Sequence, residues 1–346
     1  MPGPFGLMHQ MWAPPDVADE DFFRATIEDI VLADELGFDS AWIAEHHYVR
    51  PGPFYSRLPD AELLLAALAP QTARIRLATG IKLLILDDPE RVAEKARLLS
   101  LLSGGRMLLG LGQGSPDELG VRQLSVDEKR AMFRDRLQRL AGYLEGRPDM
   151  RERSASGLTI TPDWPLKVSD AVWVGVRDDV SVAHAARLGA NFLVGEAELA
   201  VKQAPYVARY RSAGGLGEAR GARLVCVAET AEQALDDVDR PARLLHAAFS
   251  KGRYHQEMAA AGLLPAASAE ADLTLRQILG RLEYAAGTAA EVTRQLTGYI
   301  QATGVDALNI VVHAPGIARQ AARRSLRMFM ADVAPALLPA LIANNP

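Results

Sequence analysis

Leu36-Gly37-Phe38-Asp39-Ser40-Ala41-Trp42-Ile43-Ala44-Glu45-His46-His47 passes in one short run from the end of a helix, through a buried strand, to a cluster of titratable groups. Upstream, Glu20–Leu36 places Phe23, Ile27, Ile30, Val31 and Ala33 at helical spacing. Gly37 then stops the helix, because glycine accepts the left-handed backbone of a C-terminal cap. Phe38–Ala44 is the strand, and Glu45, His46 and His47 stand at its end.

Working outward, the same alternation of short apolar runs and longer amphipathic stretches repeats. Strands are expected at Gly6–Met11, Ile75–Gly80, Met107–Leu111, Val172–Val176, Asn191–Val194, Arg223–Ala228 and Ala307–Val312. Helices follow at Ala61–Thr72, after Asp88-Pro89 to Gly104-Gly105, and at Val126–Leu144, Val180–Leu188, Ala197–Arg211, Ala231–Phe249 and Ile317–Met330. Eight βα units point to one α/β domain over residues 1–346, a (β/α)8 TIM barrel. The alternative is an open doubly wound sheet with helices on both faces. Two stretches, about 147–167 and 250–286, exceed ordinary connections and read as insertions over the C-terminal face of the barrel.

Composition narrows the function. Lys and Arg total 38 against 43 Asp and Glu, a formal charge of −5 with no basic run, which argues against nucleic acid or an anionic membrane as partner. No apolar stretch is seen to approach the roughly 20 residues that span a bilayer, and the N-terminus lacks the features of a secretory signal, so a cytoplasmic protein is expected. The single cysteine, Cys226, sits in an apolar strand and reads as a packing residue.

In a barrel the chemistry sits where strands end at the C-terminal face. Those ends supply His9, the Glu45-His46-His47 cluster, Thr79-Gly80, Gly110 to Gly114 with Gln113, Gly175 to Ser181 with Arg177, and His313. Imidazole titrates near neutral pH, so the Glu45-His46-His47 cluster suits acid/base or hydrogen-bonding work. Contiguous residues on extended chain point to opposite faces and make a poor chelate, so no metal is assigned. Gly110-Leu111-Gly112-Gln113-Gly114 is one residue short of a dinucleotide fingerprint. Its glycines suit instead a close approach of a bulky planar ligand, or a crowded loop. Gly175 to Ser181 precedes a helix whose free N–H groups favour an anion, with Arg177 and Ser181 as added donors. Asp178 and Asp179 oppose this, as caps of that same helix.

These residues resemble a known family. Residues 36–47, with Thr72-Ala73-Arg74-Ile75-Arg76-Leu77-Ala78-Thr79-Gly80, Asp88-Pro89-Glu90-Arg91-Val92-Ala93-Glu94 and Leu102-Ser103-Gly104-Gly105-Arg106-Met107, are similar to the bacterial luciferase-like flavin monooxygenases. The likeness is strong over 36–114, and Glu45-His46-His47 points to the FMN branch rather than the deazaflavin branch. The resemblance implies a barrel that takes reduced FMN from a separate reductase, adds dioxygen to form a flavin hydroperoxide, and oxygenates a small organic molecule. On it, His46 supports the flavin oxygen intermediate, with Glu45 and His47 shaping its surroundings. Thr79 and Gly80 lie against the isoalloxazine ring, and Gly175, Arg177 and Ser181 belong to the phosphate region. Gln113 stands where many members carry arginine, a stronger phosphate partner, and Arg177 is the expected replacement. The loop Arg50–Leu58, with Phe54 and Tyr55, and the stretch Ser250–Ala286 are expected lids over the reaction. Their apolar and aromatic content suggests an apolar or aromatic substrate, with His9, Tyr55 and His313 as its contacts. The resemblance also suggests a homodimer.

Overall fold

The computed structural model describes residues 3–49, 52–114, 124–146, 160–250, 262 and 273–344. Eight parallel strands close into a barrel: β1 (Phe5–His9), β3 (Ser40–Ile43), β5 (Arg76–Leu83), β6 (Met107–Gly112), β7 (Val172–Gly175), β8 (Asn191–Leu193), β9 (Ala219–Val227) and β11 (Ala307–Val311). They neighbour one another in chain order, with β9 joining β8 to β11 and β11 joining back to β1. All eight expected strands are present. Gly37 ends α1 (Asp19–Leu36) with φ 88°, as the cap argument requires.

Several elements were not expected. Trp12–Ala13 (β2) and Tyr55–Ser56 (β4) form a small antiparallel pair beside the C-terminal face. The stretch 250–286 is not all insertion, since it contains the helix Leu275–Leu282 and the strand β10 (Ala285–Gly287), which extends β9 at its C-terminal half. The expected insertion at 147–167 falls largely outside the described residues, as do 251–261 and 263–272. The last helix runs on from Arg319 through Met330 to Asn344, passing through a π-helical turn at Phe329–Val333. Its most apolar window has mean hydropathy 1.6 and the length to cross a membrane, which corrects the reading that no stretch approaches that length. Its inner face, Leu326, Phe329, Val333, Leu337 and Leu341, is packed into the protein core.

Side chains alternate between the lumen and the helical shell with period two. Phe5, Leu7, Ile43, Leu77, Leu109 and Val174 face the helices, whereas Met8, Trp42, Ala78, Leu108, Trp173, Leu193 and Leu224 fill the lumen. Trp42 and Trp173 meet edge to face with centroids 5.0 Å apart. Below them an ionic plug seals the N-terminal end. Arg220, fully buried, donates to both oxygens of Asp39 at 2.9 and 2.6 Å, to Ser40 at 2.9 Å and to Asn309 at 3.1 Å. Gly6 makes room for this plug, because a Cβ there would stand 2.7 Å from Ser40 Oγ and 2.9 Å from Arg220 Nη1. Burial raises the Asp39 carboxyl, but the Arg220 and Arg76 guanidinium groups outweigh it and hold the group below its ordinary range.

Candidate active site at the barrel mouth

Period-two alternation decides which strand-end residues reach the mouth. On β1 the lumen series is Gly6, Met8, Gln10, so His9 points outward, against Phe22 of α1 and stacked on His313 at 4.2 Å. His9 Nδ1 accepts the Met11 N–H at 3.0 Å, and the His313 Nε2 meets Asp29 at 3.1 Å. Burial, and then the neighbouring His313, hold His9 well below its ordinary pKa. This pair joins the barrel to α1, which corrects the expectation that His9 and His313 contact a substrate. Both are engaged at a seam between layers.

On β3 Trp42 faces the lumen. Past the end of that strand, half-buried His46 is anchored by its backbone N–H to the Leu58 carbonyl at 3.0 Å. Glu45 faces outward and is fully buried in a charge knot. It meets Lys82 Nζ at 3.2 Å, accepts the Ala61 N–H at 3.2 Å and pairs with His47 Nε2 at 3.1 Å. Lys82 also reaches Glu62 at 3.2 Å and Asp87 at 2.6 Å. Three carboxylates overcome the cost of burying the ammonium and raise its pKa. Glu45 is therefore engaged as a clamp on the loop that carries His46 and His47, which fits the hydrogen-bonding one of the two roles offered for the cluster. Among the described residues, the one acidic group with metal-binding spacing is Glu45, Asp60 and Glu62. Lys82 and Lys95 already set two ammonium charges among these carboxylates, in keeping with the absence of an assigned metal.

The wall opposite is made of glycine. Gly110, Gly112 and Gly175 occupy lumen positions on β6 and β7, and Ile81 lies across Gly112 and Gly175 after a register irregularity in β5. A Cβ on Gly175 would stand 3.1 Å from Ile81 Cδ1, and one on Gly112 would stand 2.9 Å from Ile81 Cγ1 and closer still to Cδ1. Such a bulge re-aims a side chain. It gives the mouth a flat surface of backbone and one aliphatic side chain, suited to a planar ring. Thr79 supports this wall from behind, its hydroxyl donating to the Gly110 carbonyl at 2.8 Å, and Gly80 packs on Trp42. Aromatic groups stand at the rim: Trp12 meets Phe54 at 5.7 Å and Phe249 at 6.1 Å, with Tyr55 carried beside them on β4 under Arg57.

The turn 175–181 differs from its sequence reading. Asp178 caps the helix Asp179–Leu188 by accepting the Ser181 N–H at 2.8 Å, and the buried Ser181 hydroxyl turns back to Asp178. Asp178 also pairs with Arg130 at 2.9 Å. Ser181 therefore closes the cap and is not an available phosphate donor, a correction that follows from the competing carboxylate one turn away. Arg177 is exposed at the rim, and half-buried Gln113 ends the described part of the β6 loop.

One mouth residue escaped the sequence reading. Glu196, just past β8, is 6% exposed, and its carboxyl accepts from Gln10 Nε2 at 2.7 Å. Strands β9 and β11 separate β8 from β1 in the sheet, so this bond crosses the open end of the barrel. Burial raises the Glu196 pKa against the opposing pull of its own backbone N–H, Gln10, Arg177 and Arg223.

The family described as luciferase-like monooxygenase matches residues 4–307. The 4-hydroxyprotoasukamycin monooxygenase of Streptomyces nodosus subsp. asukaensis is 31% identical over 339 residues, covering 89% of this chain and 85% of that protein. The chain spans about half the length of several other curated relatives that it matches. Among solved structures, the oxygenating constituent of 3,6-diketocamphane monooxygenase from Pseudomonas putida, in complex with FMN, aligns with TM-score 0.76 at 22% identity, over 97% of this chain and 99% of that one. A coenzyme F420 dependent tetrahydromethanopterin reductase from Methanopyrus kandleri aligns with TM-score 0.65 at 18% identity, over 97% and 99%. At these identities both structures speak to the fold.

Proposed function

The chain belongs to the luciferase-like monooxygenase family, and we propose that it is an FMN-dependent monooxygenase acting on a small apolar or aromatic organic molecule. The observation that carries this reading is the glycine-backed wall, where Ile81 lies over Gly112 and Gly175 and Trp42 borders Gly110. A planar tricyclic ring matches it, and a Cβ would fill it. When bound, reduced flavin passes one atom of dioxygen to the substrate while the other leaves as water.

The chain's own groups do the rest. The wall beds the ring, and His46, whose loop is anchored by its backbone bond to Leu58, offers an imidazole to the ring's reactive edge. Trp12, Phe54 and Phe249 give the rim an apolar lining that excludes water and favours an apolar substrate. With Ser181 engaged in its cap, Arg177 and Gln113 are, among the described residues of these two loops, the candidates to meet the flavin phosphate. The cofactor is read as arriving reduced from a separate reductase. A second copy of the chain suits the shared face of α2 (Ala61–Leu68) and α3 (Pro89–Leu102), which exposes Leu63, Leu98, Leu101 and Leu102.

The deciding measurement is anaerobic binding of reduced FMN and of reduced F420 to the purified chain, followed by admission of air. Binding of FMN with oxygen uptake supports the proposal. Binding of F420 alone, with hydride exchange and no oxygen uptake, refutes it.

A further inference from the structure

Glu196 is buried at the mouth, where burial raises its carboxyl pKa. Its carboxyl accepts from Gln10 Nε2 at 2.7 Å, and the same amide reaches Sδ of the lumen residue Met8 at 3.4 Å. The amide is a neutral donor, so no ion pair neutralises the group directly. The nearest cations are held elsewhere. Arg223 spends Nη1 on the Glu196 backbone carbonyl at 3.2 Å and Nη2 on Glu283 at 2.7 Å, and Arg177 stands at the exposed rim. A buried carboxyl with neutral neighbours keeps its proton, and cations at one remove stabilise the anion once that proton has gone.

We propose that Glu196 is the proton donor of the mouth: its carboxyl, held across the lumen by Gln10, protonates the oxygen atom that leaves as water and is reloaded from solvent. This assignment rests on the flavin reading above. With the reduced cofactor as the anion FMNH− and substrate S, the balance is FMNH− + O2 + S + H+ → FMN + SO + H2O. The cofactor supplies two electrons, and the added proton is the one assigned to Glu196. Without organic substrate the same proton is taken up in FMNH− + O2 + H+ → FMN + H2O2, which provides a probe that needs no identified substrate.

Two measurements test this. In infrared spectra at neutral pH, wild type minus Glu196→Gln should show a protonated-carboxyl band that collapses as pH rises. The subtraction is needed because burial also raises Glu62 and Asp306. A difference spectrum without that band, so that Glu196 is already ionised, overturns the assignment whether or not flavin binds. In stopped flow, protein loaded with photoreduced FMN is mixed with aerated buffer across a range of pH. The wild-type rate should fall on the alkaline side. Glu196→Gln should be slower by about 100-fold or more at neutral pH and show no such fall. Gln10→Met keeps a titratable Glu196 but removes a bond that favours its anion, so the alkaline fall should move to higher pH. Loaded Glu196→Gln that keeps the wild-type profile overturns the assignment alone, whereas wild-type chain that leaves photoreduced FMN in solution overturns the flavin reading itself.

Discussion

Adding one methyl group to the glycine wall separates its two roles, because the two central glycines meet different neighbours. In Gly110→Ala the new Cβ stands 3.3 Å from the Thr79 carbonyl carbon and from Trp42 Cζ3, and closer still to the Thr79 carbonyl oxygen. That obstacle is backbone within the β5–β6 ladder, so no rotamer change relieves it and the strands must part. Overpacking of this kind costs about 3 kcal/mol or more. At roughly 2 °C per kcal/mol for a domain at least this large, the melting midpoint should fall by about 6 °C. In Gly112→Ala the obstacle is the far end of the Ile81 side chain, which can turn aside at about 0.5–1.5 kcal/mol. The melting midpoint should then move by only a few degrees. Ile81, however, turns into the space assigned to the ring, and FMN affinity should drop about tenfold, equivalent to about 1.4 kcal/mol. Thermal melts by circular dichroism and FMN titration followed by fluorescence give both numbers on each variant. If Gly112→Ala binds FMN as tightly as wild type, the wall is not the ring's bed; if both variants melt alike, the distinction between backbone and side-chain obstacles is wrong.

Lys82→Met removes the ammonium from among Glu45, Glu62 and Asp87 and should cost about 3–5 kcal/mol in chemical denaturation, since two of those carboxylates are deeply buried; a loss below about 1 kcal/mol would show that Lys95 suffices. Because burial raises the folded pKa of Glu196 above its unfolded value, its contribution to stability is intact at acid pH and lost as pH rises between the two. Glu196→Gln should therefore gain on wild type as pH rises from acid to alkaline, and a gap in melting midpoint that is constant with pH would contradict this. Replacing Leu98 and Leu102 together by lysine should convert a dimer to a monomer in light scattering with little change in melting midpoint; a monomeric wild type would remove the proposed second copy.

The βα rhythm was legible because each strand carries a compact apolar run and each helix a capped, amphipathic one. Which face of a strand looks inward was not. Strands buried on both faces read as continuous hydrophobic runs, so parity has no sequence signal. His9 is thus read at the mouth when Gln10 occupies it, and the ion pairs that bury Glu45 carry no signal in its own strand. Arg220 lay hidden because its strand begins with Ala219-Arg220-Gly221-Ala222-Arg223, whose charges suggest a loop until Asp39, far away in sequence, is brought beside them. Glu196 is likewise meaningful only once Gln10 lies across from it. For Ser181 the sequence offers two roles, phosphate donor or partner in a cap led by Asp178, and in the structure the carboxylate cap is formed.

The ionic plug of Arg220, Asp39, Ser40 and Asn309 closes the N-terminal end of the barrel, so that among the described residues the mouth is approached from the C-terminal side. Whatever settles deepest must enter first and depart last, so two ligands sharing this chamber queue rather than cross. A late-arriving molecule sits as a stopper above an earlier one, and an excess of the upper guest should therefore slow escape of the lower.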